Sequence, residues 1–244
     1  MEQHKNKDYD IIFCVFACAT IERYKNELLK IEETWGKKAR NMNYKVLFFL
    51  GEEKTDLIGE DYIYLDGVQN DYLSASYKQN LGLKYIYENY ECNYIYITGT
   101  DTYIIADNLK KYLSNIDPTQ NISIGYGTTV KIEGHDMYSH SGSGGIVITY
   151  KTLTEVYPYL ENMVYTWSLV PHQHVCPVFA CCDVALCYYF YKTKEHKFII
   201  EDKLFSNFNY KVFNNNPFIG CHYMTLEDFD EFTTILENST TYNF

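Results

Sequence analysis

Residues 11–19 (IIFCVFACA) form the first uninterrupted apolar run of the chain, and shorter ones follow at 44–50 (YKVLFFL) and 94–98 (YIYIT). A short apolar run without alternation is the pattern of a strand covered on both faces, so each predicts a buried strand. Residues 62–65 predict a further short one. Between the runs the period changes. Across 23–39, Tyr24, Leu28, Ile31 and Trp35 recur at spacings of four, three and four, one stripe of a helix whose last turn carries Lys37 and Lys38. Ser74 is placed to cap a second helix to about residue 90, with Tyr77, Leu81, Tyr85 and Glu88 along one side, and 106–113 predicts a third.

Strands alternating with helices predict an α/β fold with a mixed, mostly parallel central sheet flanked by helices. The second half is less regular. It offers a strand at 122–126, a polar stretch to His140, a Gly-rich segment at 141–145 leading into apolar 146–148, and a short helix from Thr152. A His- and Pro-rich loop over 167–181, a helix at 183–191 and aromatic strand-like pieces ending in Gly220, Cys221, His222 and Tyr223 complete the order. No repeat or linker interrupts it. The expectation is one domain over 1–244, with loosely ordered tails at 1–9 and 238–244.

Composition narrows the function. With 46% hydrophobic and 22% charged residues the chain should fold, and neither disorder nor a membrane bundle is implied. A net charge of −11 argues against a nucleic-acid partner, although a metal ion and a few cations still suffice for one nucleotide diphosphate. The eight Cys lack paired Cys-x-x-Cys knuckles, so buried reduced thiols are expected rather than structural zinc. The apolar run at 11–19 ends in Ala-x-Ala, but Glu2, Asp8 and Asp10 precede it and it is too short to span a bilayer. It predicts a strand, no transmembrane anchor is expected, and the expected location is cytoplasmic.

Ligands of open α/β sheets bind beyond the carboxyl ends of strands, which gives Asp101, just after the 94–98 strand, a favourable position to hold a hard divalent cation. A turn or helix cap would explain the same residue. Asp183 reads either as the cap of the helix it begins or as a general base, since a carboxylate at a helix N-terminus stays ionised and accepts a proton. His222 could complete a metal site, and His172, His174 and Cys176 form a short ligand-like string. The glycines at 141–145 allow close backbone approach to a ligand or form a turn. Walker, dinucleotide and nucleophile-elbow motifs are absent.

The order of these pieces resembles the fringe and β-1,3-galactosyltransferase superfamily, whose members have a Rossmann-like GT-A fold and transfer sugars from UDP donors with inversion. Glu33-Thr34-Trp35-Gly36 is similar to the family's Glu-Thr-Trp segment, and Tyr77 to Lys84 (YKQNLGLK) resembles its Asn-Leu-Thr-Leu-Lys helix. Gly99-Thr100-Asp101 stands in place of its Asp-Asp-Asp motif, keeping only the third acid. SGSGG at 141–145 resembles its Gly-Gly-Ala-Gly segment, Cys182-Asp183 its paired acid, and His222 its metal histidine.

The resemblance implies Asp183 as catalytic base, Asp101 and His222 as ligands of Mn²⁺, and Thr20, Arg23, Lys84, Thr100, Asp101, Gly144 and Gly145 around a UDP-sugar. Asp56 or Asp66 would touch the uridine. A hexose or N-acetylhexosamine would pass to a glycan, glycoprotein or other hydroxyl acceptor, forming a β-1,3 linkage. A sugar or nucleotide-sugar binding module on the same fold, inactive through loss of two acids, is the rival expectation.

Overall fold

The computed structural model describes residues 6–171, 181–213, 216–239 and 242. A seven-stranded sheet runs in the order β3-β2-β1-β4-β7-β6-β8, formed by β1 (Asn6–Phe16), β2 (Lys45–Leu50), β3 (Tyr62–Tyr64), β4 (Tyr90–Thr98), β6 (Ile122–Ile132), β7 (His135–Thr149) and β8 (Lys197–Ile200). The pairs β3-β2, β2-β1, β1-β4 and β6-β8 are parallel, while β7 is antiparallel to both neighbours. The mixed, mostly parallel sheet expected from the sequence is present.

The apolar run in β1 is explained by burial on both faces. Ile11, Phe13 and Val15 enter one core with Leu28, Ile31 and Trp35; Ile12 and Cys14 enter the other with Leu83 and Ile86. The first core lies under α1 (Glu22–Glu33), α2 (Trp35–Asn41), α4 (Ala106–Leu113) and α8 (Leu226–Asn238); the second under α3 (Ala75–Asn89), α5 (Tyr150–Leu160), α6 (Met163–Ser168) and α7 (Cys182–Tyr191). Phe13 packs between Trp35 and Tyr96, with ring centroids 5.2 and 5.6 Å away. Truncating such a ring typically costs about 3–5 kcal/mol.

Several elements differ from expectation for identifiable reasons. The helix predicted over 23–39 breaks at Thr34, whose φ and ψ of −111° and −112° are not helical. Its hydroxyl donates to the Lys30 carbonyl at 2.7 Å, and a Cβ on Gly36 would lie 2.7 Å from the Ile31 carbonyl oxygen. The break turns Trp35 inward, where its indole N–H donates to the Thr102 carbonyl at 3.0 Å. In α3 the predicted inner stripe is wrong: Tyr77 is exposed, and Lys78, Gln79, Asn80, Gly82, Leu83 and Ile86 are buried instead. Ser74 makes no side-chain cap; its hydroxyl donates to Asp71.

The polar stretch before His140 is the distal part of a long β6–β7 hairpin, and the predicted loop at 167–181 begins inside α6. Residues 172–180, with His172, His174 and Cys176, lie outside the described residues. Helix α8 was not foreseen, although Thr225 and Asp228 form a reciprocal capping box ahead of Phe229 and Phe232. Near the ends of the chain, Asn6 of β1 pairs with Tyr90 of β4, and the Tyr242 carbonyl accepts from Asn108 at 2.7 Å. Among the described residues no helix is long and apolar enough to cross a membrane.

A small second sheet, β5-β10-β9, comprises β5 (Tyr103–Ile104), β9 (Phe205–Ser206) and β10 (Gly220–Cys221). It carries the C-terminal part of the chain to the end of β4. Cys221 pairs antiparallel with Tyr103, and the Met224 amide then donates to the Asp101 carbonyl at 3.1 Å.

Candidate active site

At the carboxyl ends of β1 and β4 lies a pocket of about 370 Å³. Asp101, Asp183 and His222 all line it, so the two carboxylates that the sequence left far apart converge on one cavity. Asp101 follows β4 directly. The β5–β10 pairing sets His222 opposite it, with Nε2 3.1 Å from Asp101 Oδ2. Tyr223, next in the chain, adopts a left-handed φ of 57°, a costly conformation for a bulky residue, and its ring lies against the His222 imidazole with centroids 3.9 Å apart.

A carboxylate oxygen and an imidazole nitrogen at this spacing suit Mn²⁺ or a similar ion, and His222 Nδ1 is buried with no hydrogen-bond partner among the described residues. Among the described residues no group of three His, Cys, Asp or Glu stands together. The pair therefore fits a cation whose remaining positions are filled by substrate oxygens and water rather than one enclosed by protein.

Asp183 is placed by the irregular part of β7. Gly125 of β6 pairs with Ile146 and Tyr126 with Ser141, so residues 142–145 leave the ladder as an excursion. The Gly142 amide donates to Asp183 Oδ2 at 2.9 Å, and the Val184 amide at the start of α7 donates to Oδ1 at 2.8 Å. The Ser143 carbonyl accepts from the Thr102 hydroxyl at 2.8 Å, so one backbone segment ties the Asp101 loop to Asp183. Close packing holds that segment. Gly145 has φ +89°, and a Cβ there would stand 2.1 Å from the Tyr96 ring; the Tyr96 hydroxyl donates to the Gly144 carbonyl at 2.7 Å. Burial, reinforced by the Asp183 carboxylate, pushes the neighbouring Cys182 thiol up, so it stays protonated at neutral pH and is no thiolate nucleophile.

The remaining predicted residues divide. Arg23 lines the pocket, kept charged by Glu27, whose other oxygen accepts from the buried Thr100 hydroxyl at 2.5 Å. Thr100 thus anchors the Asp101 loop with its hydroxyl directed to Glu27. Thr20 is exposed and does not line the pocket; its hydroxyl lies 3.6 Å from Cys18 Sγ. Gly144 and Gly145 do not line it either, because their backbone is packed against Ser206 and Tyr96, and Gly142 and Ser143 face the cavity in their place. Lys84 does not belong to the pocket: its ammonium pairs with Glu161 at 3.1 Å, between α3 and α5. Asp56 is committed to Lys25, and neither Asp56 nor Asp66 lines the pocket.

Among the lining or supporting residues that escaped the sequence reading are Glu27, Asn70, Lys78 and Gln79. A signal existed for two of them, since Lys78 and Gln79 sit together near the start of a helix that must bury one face. Gln79 spans the floor, donating to the Cys182 carbonyl at 3.0 Å and so linking α3 to α7.

No protein-family model matches the sequence, and no curated protein matches it. Solved structures do match its fold. A glycosyltransferase involved in glycosylation of the major capsid of PBCV-1 superposes with a TM-score of 0.57 at 10% identity, covering 93% of this chain and 100% of the other. The galactosyltransferase LgtC, solved with donor and acceptor sugar analogs, gives 0.56 at 12% identity over 93% and 95%. The chain has a GT-A-like fold. The bifunctional WbbM gives 0.50 at 9% identity, with 96% of this chain matched to 50% of that one.

Proposed function

We propose that this chain transfers a hexose or N-acetylhexosamine from a UDP-sugar to a hydroxyl of a glycan, glycoprotein or other acceptor, with inversion at the anomeric carbon. The motif order extends the reading to a β-1,3 linkage. The observation that carries it is the convergence of Asp101 and Asp183 on one pocket, tied through Thr102, Ser143 and Gly142. The fold shared with solved glycosyltransferases supports it.

In this mechanism the acceptor hydroxyl approaches Asp183 and gives up its proton as its oxygen bonds to the anomeric carbon and the bond to UDP breaks. Two backbone amides fix the Asp183 carboxylate, and each oxygen retains a further lone pair for the incoming hydroxyl. Arg23 meets negative charge on the departing diphosphate. Asp101 and His222 would hold Mn²⁺, which supplies neutralisation of that diphosphate when bound. The test is UDP release from UDP-Gal, UDP-GlcNAc, UDP-GalNAc and UDP-Glc, each with and without Mn²⁺, followed by the anomeric configuration of the product. Release from at least one donor and an anomer opposite to that donor's is expected. Retention of configuration would remove Asp183 from the base role.

A second reading has a specific observation behind it. The two missing acids are Gly99 and Thr100, and the Thr100 hydroxyl serves Glu27. A nucleotide-sugar binding module would show thermal stabilisation by a UDP-sugar without UDP release.

A further inference from the structure

The N-terminal part of α3 turns a lysine into the protein interior. Lys78 is 3% exposed and still lines the pocket. Its ammonium donates to Asn70 Oδ1 at 3.2 Å, and among the described residues no carboxylate comes within ion-pair distance. Asp71, the carboxylate that acts on it from a distance, spends one oxygen on the Ser74 amide and hydroxyl, both at 2.7 Å. Asn70 is itself pinned, because the same Oδ1 accepts from the Gly51 amide at 3.1 Å. An ammonium has three donors, and a buried one with a neutral partner is expensive to keep charged. Burial accordingly pulls Lys78 below the usual lysine range. An anion entering the pocket would relieve that cost.

We infer that Lys78, held by Asn70, is the seat for a phosphate group of the ligand, in place of Lys84, which the family resemblance put around the UDP-sugar. The inference deepens the UDP-sugar reading and rests on it for the identity of the phosphate as part of a nucleoside diphosphate. Position supports the assignment. Lys78 and Asn70 line the pocket on the side of β1 and α3, Arg23 enters it from α1, Asp183 lies on the side of β7 and α7, and Asp101 with His222 stands at the end of β4. A diphosphate seated on Lys78 and Arg23 would leave the sugar end directed toward Asp183.

Calorimetric titration of the full chain with UDP, uridine and inorganic pyrophosphate, in buffer without divalent cation, tests this. Lys78→Met should weaken UDP and pyrophosphate by about 10- to 100-fold, the range of a charged hydrogen bond, and leave uridine unchanged. It should also melt no lower than the parent, since it removes an uncompensated buried charge. Asn70→Asp covers the case in which that variant does not fold: it keeps the acceptor for Gly51 and gives the ammonium a competing carboxylate, so UDP and pyrophosphate should again weaken. UDP binding at parental strength in either folded variant overturns the seat while sparing the nucleotide reading. Lys78-dependent pyrophosphate binding without UDP or uridine binding keeps the seat and overturns the nucleotide. No binding of UDP or pyrophosphate to the parent overturns both.

Discussion

On one side of the pocket, α3 presents Lys78 and α1 presents Arg23, regular elements packed on a parallel part of the sheet; on the other, Asp183 is held by an excursion from antiparallel β7. The first wall carries cations and the second carries the acid. On the proposed function their tasks differ, and each construction suits its own. A charge that meets a diphosphate needs a rigid stem, which a helix supplies through side chains alone; Lys78 is buried as well. A base that must face one hydroxyl needs its carboxylate oriented, and here that comes from backbone amides of Gly142 and Val184. Backbone donors become available only where a strand leaves its ladder or a helix begins.

The sharpest way to break this contrast is at Asp183. Asp183→Asn should lower turnover by about 10² to 10⁴, the usual worth of general-base help, while UDP affinity stays within twofold to threefold of the parent, about the precision of such titrations. Steady-state kinetics beside calorimetry would show it. A variant that turns over normally leaves the β7 and α7 wall without a catalytic role, and one that loses UDP affinity in proportion makes the two walls one binding surface.

Next in size is the packing behind the excursion. Gly145→Ala puts a Cβ 2.1 Å from the Tyr96 ring at a φ of +89°, so overpacking and backbone strain combine to about 3 kcal/mol. Gly67→Ala is the control: its φ is +73°, but nothing lies within 4 Å of the added carbon, and only the conformational cost of about 1 kcal/mol remains. Urea midpoints of the two variants compare them. Equal losses would mean that the contact with Tyr96 relaxes freely and the excursion is not held by it.

These two walls were not equally legible in the sequence. The strands at 11–19, 44–50 and 94–98 could be read because burial on both faces leaves an unbroken apolar run. Asp101 and His222 could be named because the motif order survives, although their meeting depends on the Tyr103–Cys221 pairing, which no local pattern encodes. Lys78 was hidden for a physical reason: the stripe of α3 was sought among apolar residues, whereas the face it turns to the pocket is Ala75, Lys78 and Gln79. The excursion at 142–145 was legible as glycine-rich but not in its geometry, since Gly144 and Gly145 serve contact with Tyr96 and Ser206 instead of the ligand.

The acid-bearing side of the molecule carries a polar network with no counterpart at Lys78. Ser123 Oγ lies 2.8 Å from Nε2 of both His140 and His196, and His196 Nδ1 lies 2.7 Å from Asn121 Oδ1. Because Asn121 Oδ1 only accepts, His196 carries its proton on Nδ1; Ser123 then donates to His196 and accepts from His140. Both rings are neutral. Burial is the main cause that pushes His140 down to about 4 and His196 to about 3. The unfolded chain takes up these protons near pH 6.5, so the stability they confer is full above that value and is lost as pH falls toward about 4 and 3. The loss is at most about 1.4 kcal/mol per pH unit for each histidine. Urea unfolding just above pH 6.5 and about one unit below it should show a smaller drop for His140→Gln than for the parent. Equal drops would assign the acid sensitivity to carboxylates elsewhere.

The smallest expected effect sharpens the contrast most directly, because it sets the two lysines of α3 against each other. Lys84 and Lys78 lie on one helix, but Lys84 reaches outward to Glu161, whose side chain is 68% exposed, and such pairs contribute about 0–1 kcal/mol. Lys84→Ala should therefore leave UDP affinity and turnover at parental levels and move the unfolding midpoint barely, with about 0.5 kcal/mol as the upper end for a surface substitution. The same assays applied to Lys78→Met should show the reverse, a strong loss of anion affinity with no loss of stability. If Lys84→Ala weakened UDP as much as Lys78→Met does, the phosphate would have to reach the α3–α5 side of the helix, and the division of the pocket into a cationic and an acidic wall would fail.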